Sequence, residues 1–383
     1  MTAQPYDIAI IGAGMAGASL AAEAAALSPG GKRIVLLEAE DTPGYHATGR
    51  SAAFWEECYG GPDIVPLTLA SGPYLREHGF LSQRGALYIG RDEDAAAIDA
   101  FIDRFAATGA TIERLDRDAL AAKVPGLRPD WTHAVWEPAC ADIDVAGLHQ
   151  HYLSRARQGG VELRCKSRLV GAQRSAAGWR LTMAEGTQIA AAVLVNAAGA
   201  WADGLAQLAG VRPLDIVPYR RTVAQLETDP APPRDMPLTL DISGRFYFKP
   251  EGAGIWLSPH DETPIEPCDA APEELDIATA IDRLGAVVDW DCRRVARKWA
   301  GLRSFAPDRR PVYGTDPREP SFFWFAGQGG FGIQTAPAAA RLGAQLLLGM
   351  PRDAMTAPLD PALYDPGRFA RTERGASIPL SAR

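Results

Sequence analysis

Histidine is scarce in this chain, at six of 383 residues, and the five cysteines (Cys58, Cys140, Cys165, Cys268 and Cys292) stand far apart. No C-x-x-C pair occurs, so neither a zinc site nor a disulfide framework is signalled, and reduced thiols in a cytoplasmic protein are expected. No stretch reaches the ~18–20 apolar residues of a membrane span. Asp7 interrupts the apolar run near the N-terminus, and no basic segment precedes it, so a secretory signal is not expected either. Lysine and arginine form no long block, and the net charge is −8, which argues against nucleic acid or an anionic membrane as a partner. There is no internal repeat, no low-complexity linker, no metal cluster and no Ser–His–Asp grouping, so hydrolytic chemistry has no support. What remains, 47% hydrophobic residues over 383 positions, is enough for a buried core and for two domains.

The first 38 residues carry the clearest signal. Ile8, Ile10 and Ile11 suit a buried parallel strand, and an alanine-rich stretch of high helix propensity follows. Between them Gly12-Ala13-Gly14-Met15-Ala16-Gly17 fits G-x-G-x-x-G. Gly12 permits a tight turn, Gly14 lets a pyrophosphate approach the backbone, and Gly17 lets helix and strand pack closely. The helix N-terminus then offers amides and a partial positive charge to phosphate. After a turn at Ser28–Gly31, a second apolar strand ends at Glu38, placed to bind a ribose 2′-OH and to repel a 2′-phosphate. The pattern predicts an ADP-containing dinucleotide, NAD or FAD.

Later segments separate the two. A simple NAD enzyme would continue with short αβ units, whereas here "YHATGRSAA" brings the hydroxyls of Thr48 and Ser51 beside Arg50. Such a loop suits a further phosphate and a ribityl chain. Ala192–Val195 reads as a strand before a small-residue turn at Asn196–Ala200 and a helix. Phe322–Ala326 reads as another strand, before a glycine loop at Gly327–Gly332 and a closing helix over Thr335–Gly349 with Pro337 in its first turn.

These motifs, with "WAGLRSFAPDRRPVYG" and "AGQGGFGIQT", occur in the order found in the D-amino acid oxidase superfamily of flavoproteins. The chain most resembles the bacterial FAD-dependent D-amino acid dehydrogenases of the D-arginine type, through "PGYHATGRSAA", "ADID", "AAVLVNAAGAW", "LAGVRPL", "ELDIATA" and "WAGLRSF". The resemblance covers essentially the whole chain. It implies an α/β fold (α+β overall) in which a Rossmann-like FAD-binding domain at 1–79, 145–217 and 298–383 is interleaved with an antiparallel-sheet substrate domain at 80–144 and 218–297. It implies noncovalent FAD, since no cysteine lies near "RSFAPDRRPVYG". Contacts to FAD are then expected along Gly12–Gly17 at Met15 and Ala16, at Glu38 and Ala39, and at Thr48, Gly49, Arg50, Ser51 and Ala52. Further contacts are expected at Val170, at Ala198, Gly199 and Trp201, at Arg303, and along Gly329, Gly330, Phe331, Gly332, Ile333 and Gln334.

For an α-amino acid substrate, arginine is the natural carboxylate clamp, because its planar fork matches a carboxylate through two hydrogen bonds. Arg303 matches the superfamily's carboxylate-binding arginine, and Tyr247 the tyrosine that shields the site. Either Arg220 or Arg221 stands near the substrate, with Arg221 preferred. Gly330 would bring a backbone carbonyl to the amine. The resemblance implies oxidative deamination of a D-amino acid by hydride transfer from Cα, giving an imino acid that hydrolyses to a 2-oxo acid and ammonia. The electron acceptor, whether a quinone, an electron-transfer protein or oxygen, stays open, and with it peripheral association with the inner membrane.

The sequence departs from that group in "FWEECYGG". Phe54 stands where the D-arginine type has a histidine, Glu56 where it has a small hydroxylated residue, and Ala86 where it has an acidic residue for a basic side chain; Tyr59 is kept. Phe54, Trp55 and Tyr59 therefore suit an apolar or aromatic substrate, while Glu56 either restores a charge from another wall or faces solvent beside Glu57. An L-2-hydroxy acid or N-methyl amino acid oxidised with the same cofactor, and a flavin-binding sensor without turnover, are the alternatives.

Overall fold

The computed structural model describes residues 5–28 and 30–369; Pro29 of the Ser28–Gly31 turn lies outside them. The chain divides into two compact units, Met1–Gly49, Ala146–Val217 and Ser304–Arg383 in the first, Arg50–Val145 and Pro218–Arg303 in the second. Residues 50–79 and 298–303, expected with the nucleotide-binding part, therefore belong to the second unit. The physical reason is strand pairing, since Phe54–Trp55 bonds to Ala141–Ile143 rather than to the parallel sheet.

In the first unit, the strand Tyr6–Ile11 lies between Ile34–Leu37 and Gln188–Asn196 and is parallel to both. Phe322–Ala326 continues the parallel sheet beyond Gln188–Asn196, and Glu162–Arg164 closes its other edge. Antiparallel strands Leu169–Ser175 and Gly178–Met183 extend it. Ile8, Ala9, Ile10, Val35 and Leu36 are almost wholly buried, as strands covered on both faces require. The helix Met15–Leu27 has little amphipathic character because nearly all of it is buried, and alanines let it pack closely against Ala336–Leu348. Pro337 does sit in the first turn of that closing helix.

The second unit is built on a mostly antiparallel sheet. Val217–Asp229 pairs with Gly254–Ser258, which pairs with Tyr247–Glu251, then Leu238–Asp241. Ala86–Arg91 joins parallel to Leu238–Asp241, followed by Trp131–Glu137. Asp291–Phe305 lies on the other side of Val217–Asp229. A small sheet of Phe54–Trp55, Ala141–Ile143 and Leu81–Gln83 stands apart. No helix among the described residues is long and apolar enough to cross a membrane.

Candidate active site

The first unit carries the nucleotide motif. Gly12 has φ +100°, and a Cβ there would stand 2.5 Å from the Ala197 carbonyl oxygen. A Cβ on Gly17 would stand 1.8 Å from the Gly12 carbonyl oxygen, so neither position admits a side chain. The Glu38 carboxylate accepts from Ala13 N at 2.8 Å and Glu40 N at 3.0 Å, which fixes it beside the glycine turn and brackets Ala39. The Thr48 hydroxyl accepts from Met15 N at 2.9 Å, so the second segment is tied to the start of the helix at Met15 and Ala16. Gly49 N bonds to Gly44 O at 2.8 Å.

His149 was not foreseen from sequence: buried, it donates Nε2–H to the Ala13 carbonyl at 2.8 Å, and burial keeps it neutral by lowering its pKa. Ala198 N donates to Asn196 Oδ1 at 3.3 Å, Gly199 takes φ +55°, and the Trp201 ring lies 4.6 Å from that of His46. Gly329 has φ +54° and pairs with Ser304, placing Gly330 at the head of a turn. Phe331 and Gln334 are buried in that turn, with Gly332 and Ile333 between them. Val170 lies on Leu169–Ser175 with its side chain about half exposed. This cradle of left-handed and side-chain-free backbone, closed by a fixed carboxylate, fits an ADP-containing dinucleotide.

Arg50 is held by neighbours within its own unit. In the second unit its guanidinium donates to Ala270 O at 3.0 Å and Ala300 O at 3.2 Å and pairs with Asp269, so it ties its own segment to the 269–270 loop. Ser51 turns inward locally, accepting from Ala53 N across Ala52.

The second unit gathers the expected substrate residues except Gly330, which lies in the first. Arg303 lies over the Tyr59 ring at 5.6 Å. Phe54 meets Tyr247 edge to face at 5.6 Å. Arg221 is buried; its Nε donates to Asp261 O at 2.8 Å and its Nη2 to Glu262 at 3.2 Å, while Nη1 is buried without a hydrogen-bond partner among the described residues. Burial, then the Arg303 charge, pushes the Arg221 pKa down to about 10. Burial holds the Tyr59 phenol above its ordinary value, against the pull of Arg303 and Arg221. Arg220, its neighbour on the strand, points to the other face, where it pairs with Glu273 and with Asp276 at 2.9 Å. Neither arginine is the exposed strand charge that a lone polar position suggests.

Two expectations are corrected here. Trp55 is core rather than pocket lining: its indole N–H bonds to Thr68 O at 3.1 Å and Arg76 covers its ring. Successive strand residues face opposite ways, so Phe54 and Trp55 cannot share a wall. Glu56 and Glu57 are both buried, which excludes the solvent-facing placement. Glu57 accepts from Thr111 N at 2.7 Å. Glu56 is held well above the usual carboxylate range, first by burial and next by the charge of Glu137, against the pull of Arg303. Glu137, which sequence reasoning missed, stands directly across from Ala86 in the strand register and accepts from Glu57 N at 2.6 Å and Cys58 N at 3.3 Å. Its pKa is likewise raised, by burial. A buried carboxyl thus stands across the strand from Ala86, engaged by two backbone amides.

Carboxyls with raised folded pKa values stabilise most below the unfolded value near 4.5, and that contribution is lost as pH rises through the folded values. Glu56→Gln is therefore expected to flatten the fall in Tm between pH 5.5 and 8 relative to wild type. His260, with a depressed pKa, acts with the opposite sign, so the difference between variant and wild type is the readout. Parallel Tm profiles would sink the assignment.

A bovine (Bos taurus) protein, FAD-dependent oxidoreductase domain-containing protein 1, is 24% identical over 402 residues, covering 89% of this chain and 81% of the relative. Glycine oxidase from Geobacillus kaustophilus has the same fold, with a TM-score of 0.81 at 22% identity, covering 94% of this chain and 98% of that one. L-proline dehydrogenase from P. horikoshii aligns with a TM-score of 0.81 at 21% identity, covering 96% and 98%. The family model of FAD dependent oxidoreductases (DAO) matches residues 7–346, and the chain belongs to that family, with FAD as its cofactor.

Proposed function

We propose that the protein is an α-amino acid oxidoreductase acting on the D-enantiomer and releasing a 2-oxo acid and ammonia. One observation carries the reading: two guanidiniums, Arg221 and Arg303, share a site with two phenols, and Arg221 Nη1 is buried with no partner among the described residues. A buried donor left unpaired costs about 1–3 kcal/mol, which an anionic ligand would offset. A carboxylate fits, because it accepts from both forks.

When bound, FAD supplies the acceptor for the hydride that leaves Cα. Arg221 and Arg303 hold the carboxylate. Tyr247 and Tyr59 bound the site. Two fixed positive charges disfavour a third, so the amine binds without its extra proton and its lone pair is available to form C=N as the Cα–H bond breaks. Water then hydrolyses the imino acid. Phe54, edge-on to Tyr247, offers an apolar surface to the side chain, and Ala86 offers no charge for a basic one. The choice of an amine rests on the resemblance to D-amino acid dehydrogenases, and the named activities of the glycine oxidase and proline dehydrogenase that share the fold accord with it. The nucleotide contacts assigned from sequence, from Gly12 to Gln334, belong to the same proposal.

Anaerobic mixing of the holoprotein with D- and L-amino acids, with flavin absorbance followed, tests this. Bleaching by D-enantiomers with stoichiometric ammonia is expected. A flavin reduced by dithionite but by no amino acid would sink this reading and turn the test to 2-hydroxy acids and N-methyl amino acids, and one left oxidised by those as well would leave a binding protein without turnover.

A further inference from the structure

The strongest hydrogen-bond donors of the proposed site are its two guanidiniums, and the carboxylates beside them are already engaged. Arg221 and Arg303 only donate. Asp261 is engaged by Thr222 N at 2.7 Å and Thr222 Oγ1 at 3.0 Å, and Glu262 by Arg221. Glu56 is buried and held well above the usual carboxylate range, and the Tyr59 and Tyr247 hydroxyls accept as well as donate. An amine brought in with the carboxylate nonetheless needs somewhere to direct its N–H groups.

His260 answers that need. It follows the strand Gly254–Ser258 and takes a left-handed backbone, φ +59°, which histidine adopts more readily than most side chains. Its Nδ1 lies 2.8 Å from the Gly244 carbonyl. A carbonyl can only accept, so Nδ1 carries the proton and Nε2 presents a bare lone pair. Nε2 has no partner among the described residues. The ring meets Tyr247 edge to face at 5.7 Å, which puts it beside the proposed substrate site. Burial, then the charges of Arg221 and Arg303, holds the imidazole neutral well below its ordinary value of 6.5. The groups facing it are therefore Arg221 and Arg303 from their strands and Tyr247 from its own, with Asp261 and Glu262 following on the same loop.

Resting on the amino-acid reading above, we propose that His260 is a substrate-binding residue whose Nε2 accepts an N–H from the substrate amine while Arg221 and Arg303 hold the carboxylate. The imidazole thereby distinguishes an amino acid from a plain carboxylate, which the arginines alone cannot do.

His260→Asn isolates that nitrogen. Asparagine tolerates the left-handed backbone and can place its amide N–H where Nδ1–H stood, but it has nothing at the Nε2 position. The holoprotein would be titrated with the amino acid that bleaches wild type fastest and, separately, with benzoate, a carboxylate without an amine, read by the shift in flavin absorbance. About a tenfold loss of apparent affinity is expected for the amino acid, with benzoate binding within about twofold of wild type. Equal losses for both ligands would mean that His260 merely positions Arg221 and Tyr247, and no loss for either would mean that it faces nothing; both results overturn the inference. If the Asn variant fails to fold, His260→Gly, which accepts the same φ without strain, carries the comparison. A wild-type flavin left oxidised by every amino acid overturns the parent reading and this one with it, whereas a reducible wild type with an unchanged variant overturns this one alone.

Discussion

Gly17→Ala should yield a protein that purifies without its flavin. The added Cβ would stand 1.8 Å from the Gly12 carbonyl oxygen and 3.3 Å from Leu36 Cδ1. The first of these is backbone and cannot rotate away, so the helix Met15–Leu27 must lift from the strand it packs on. That displaces the helix N-terminus and its amides from the place where a pyrophosphate would meet them. Overpacking of this kind costs on the order of 1–3 kcal/mol in stability. The larger effect is on FAD, since a shift of the cradle is felt by every phosphate contact. Gly204→Ala is the matched control: it sits in the helix Ala202–Leu208, and a Cβ there meets nothing within 4 Å. It should keep its flavin and gain slightly in stability from helix propensity. The flavin-to-protein absorbance ratio and Tm of both variants decide the matter; a yellow Gly17→Ala protein with wild-type Tm would refute the close-packing argument.

Arg221→Met and Arg303→Met should each cost about 2–4 kcal/mol of transition-state binding, as expected when one partner of a buried charge pair is removed. That corresponds to a fall in kcat/KM of roughly 30- to 1,000-fold. The stability of the Arg221 variant should move the other way or hardly at all. In the unliganded protein the Arg221 guanidinium is buried beside another positive charge, with Nη1 unpaired, so it is destabilising where it stands. Such a split between activity and stability marks a residue kept for function. Arg220→Met gives the opposite signature, because Arg220 ties Glu273 and Asp276 together and lies 3.7 Å from Asp261. It should lose stability and retain most activity. Steady-state kinetics beside thermal unfolding of the three variants would check this, and equal kinetic losses for Arg220 and Arg221 would show that the strand does not separate them.

The nucleotide half was readable because its constraints are local. Gly12, Gly17 and Glu38 act within one strand–turn–helix–strand unit, and steric limits on a glycine turn leave their trace in consecutive letters. The substrate half was only partly readable. Arg303 and Tyr247 came through the resemblance, but nothing in the order of residues separates Arg220 from Arg221, or Phe54 from Trp55, without the facing of each strand. Glu137 and His260 left no signal: an isolated acidic residue and an isolated histidine resemble surface polar residues until their burial is known. Ala86 could be read as a missing charge, but that a buried carboxyl, Glu137, stands across the strand from it could not be read. The loop of Thr48, Arg50 and Ser51 has the chemistry of a phosphate binder, and only the fold reveals that the Arg50 guanidinium also bonds to Ala270 and Ala300 and pairs with Asp269.

A dinucleotide is announced by short-range geometry alone, because glycine spacing, apolar strand and terminal carboxylate all lie within one stretch of sequence. Which charged and aromatic side chains meet at the proposed second site is set by the fold. Those residues come from strands widely separated along the chain, and which face each turns inward, and at what pKa, depends on register and burial that no short stretch of sequence contains.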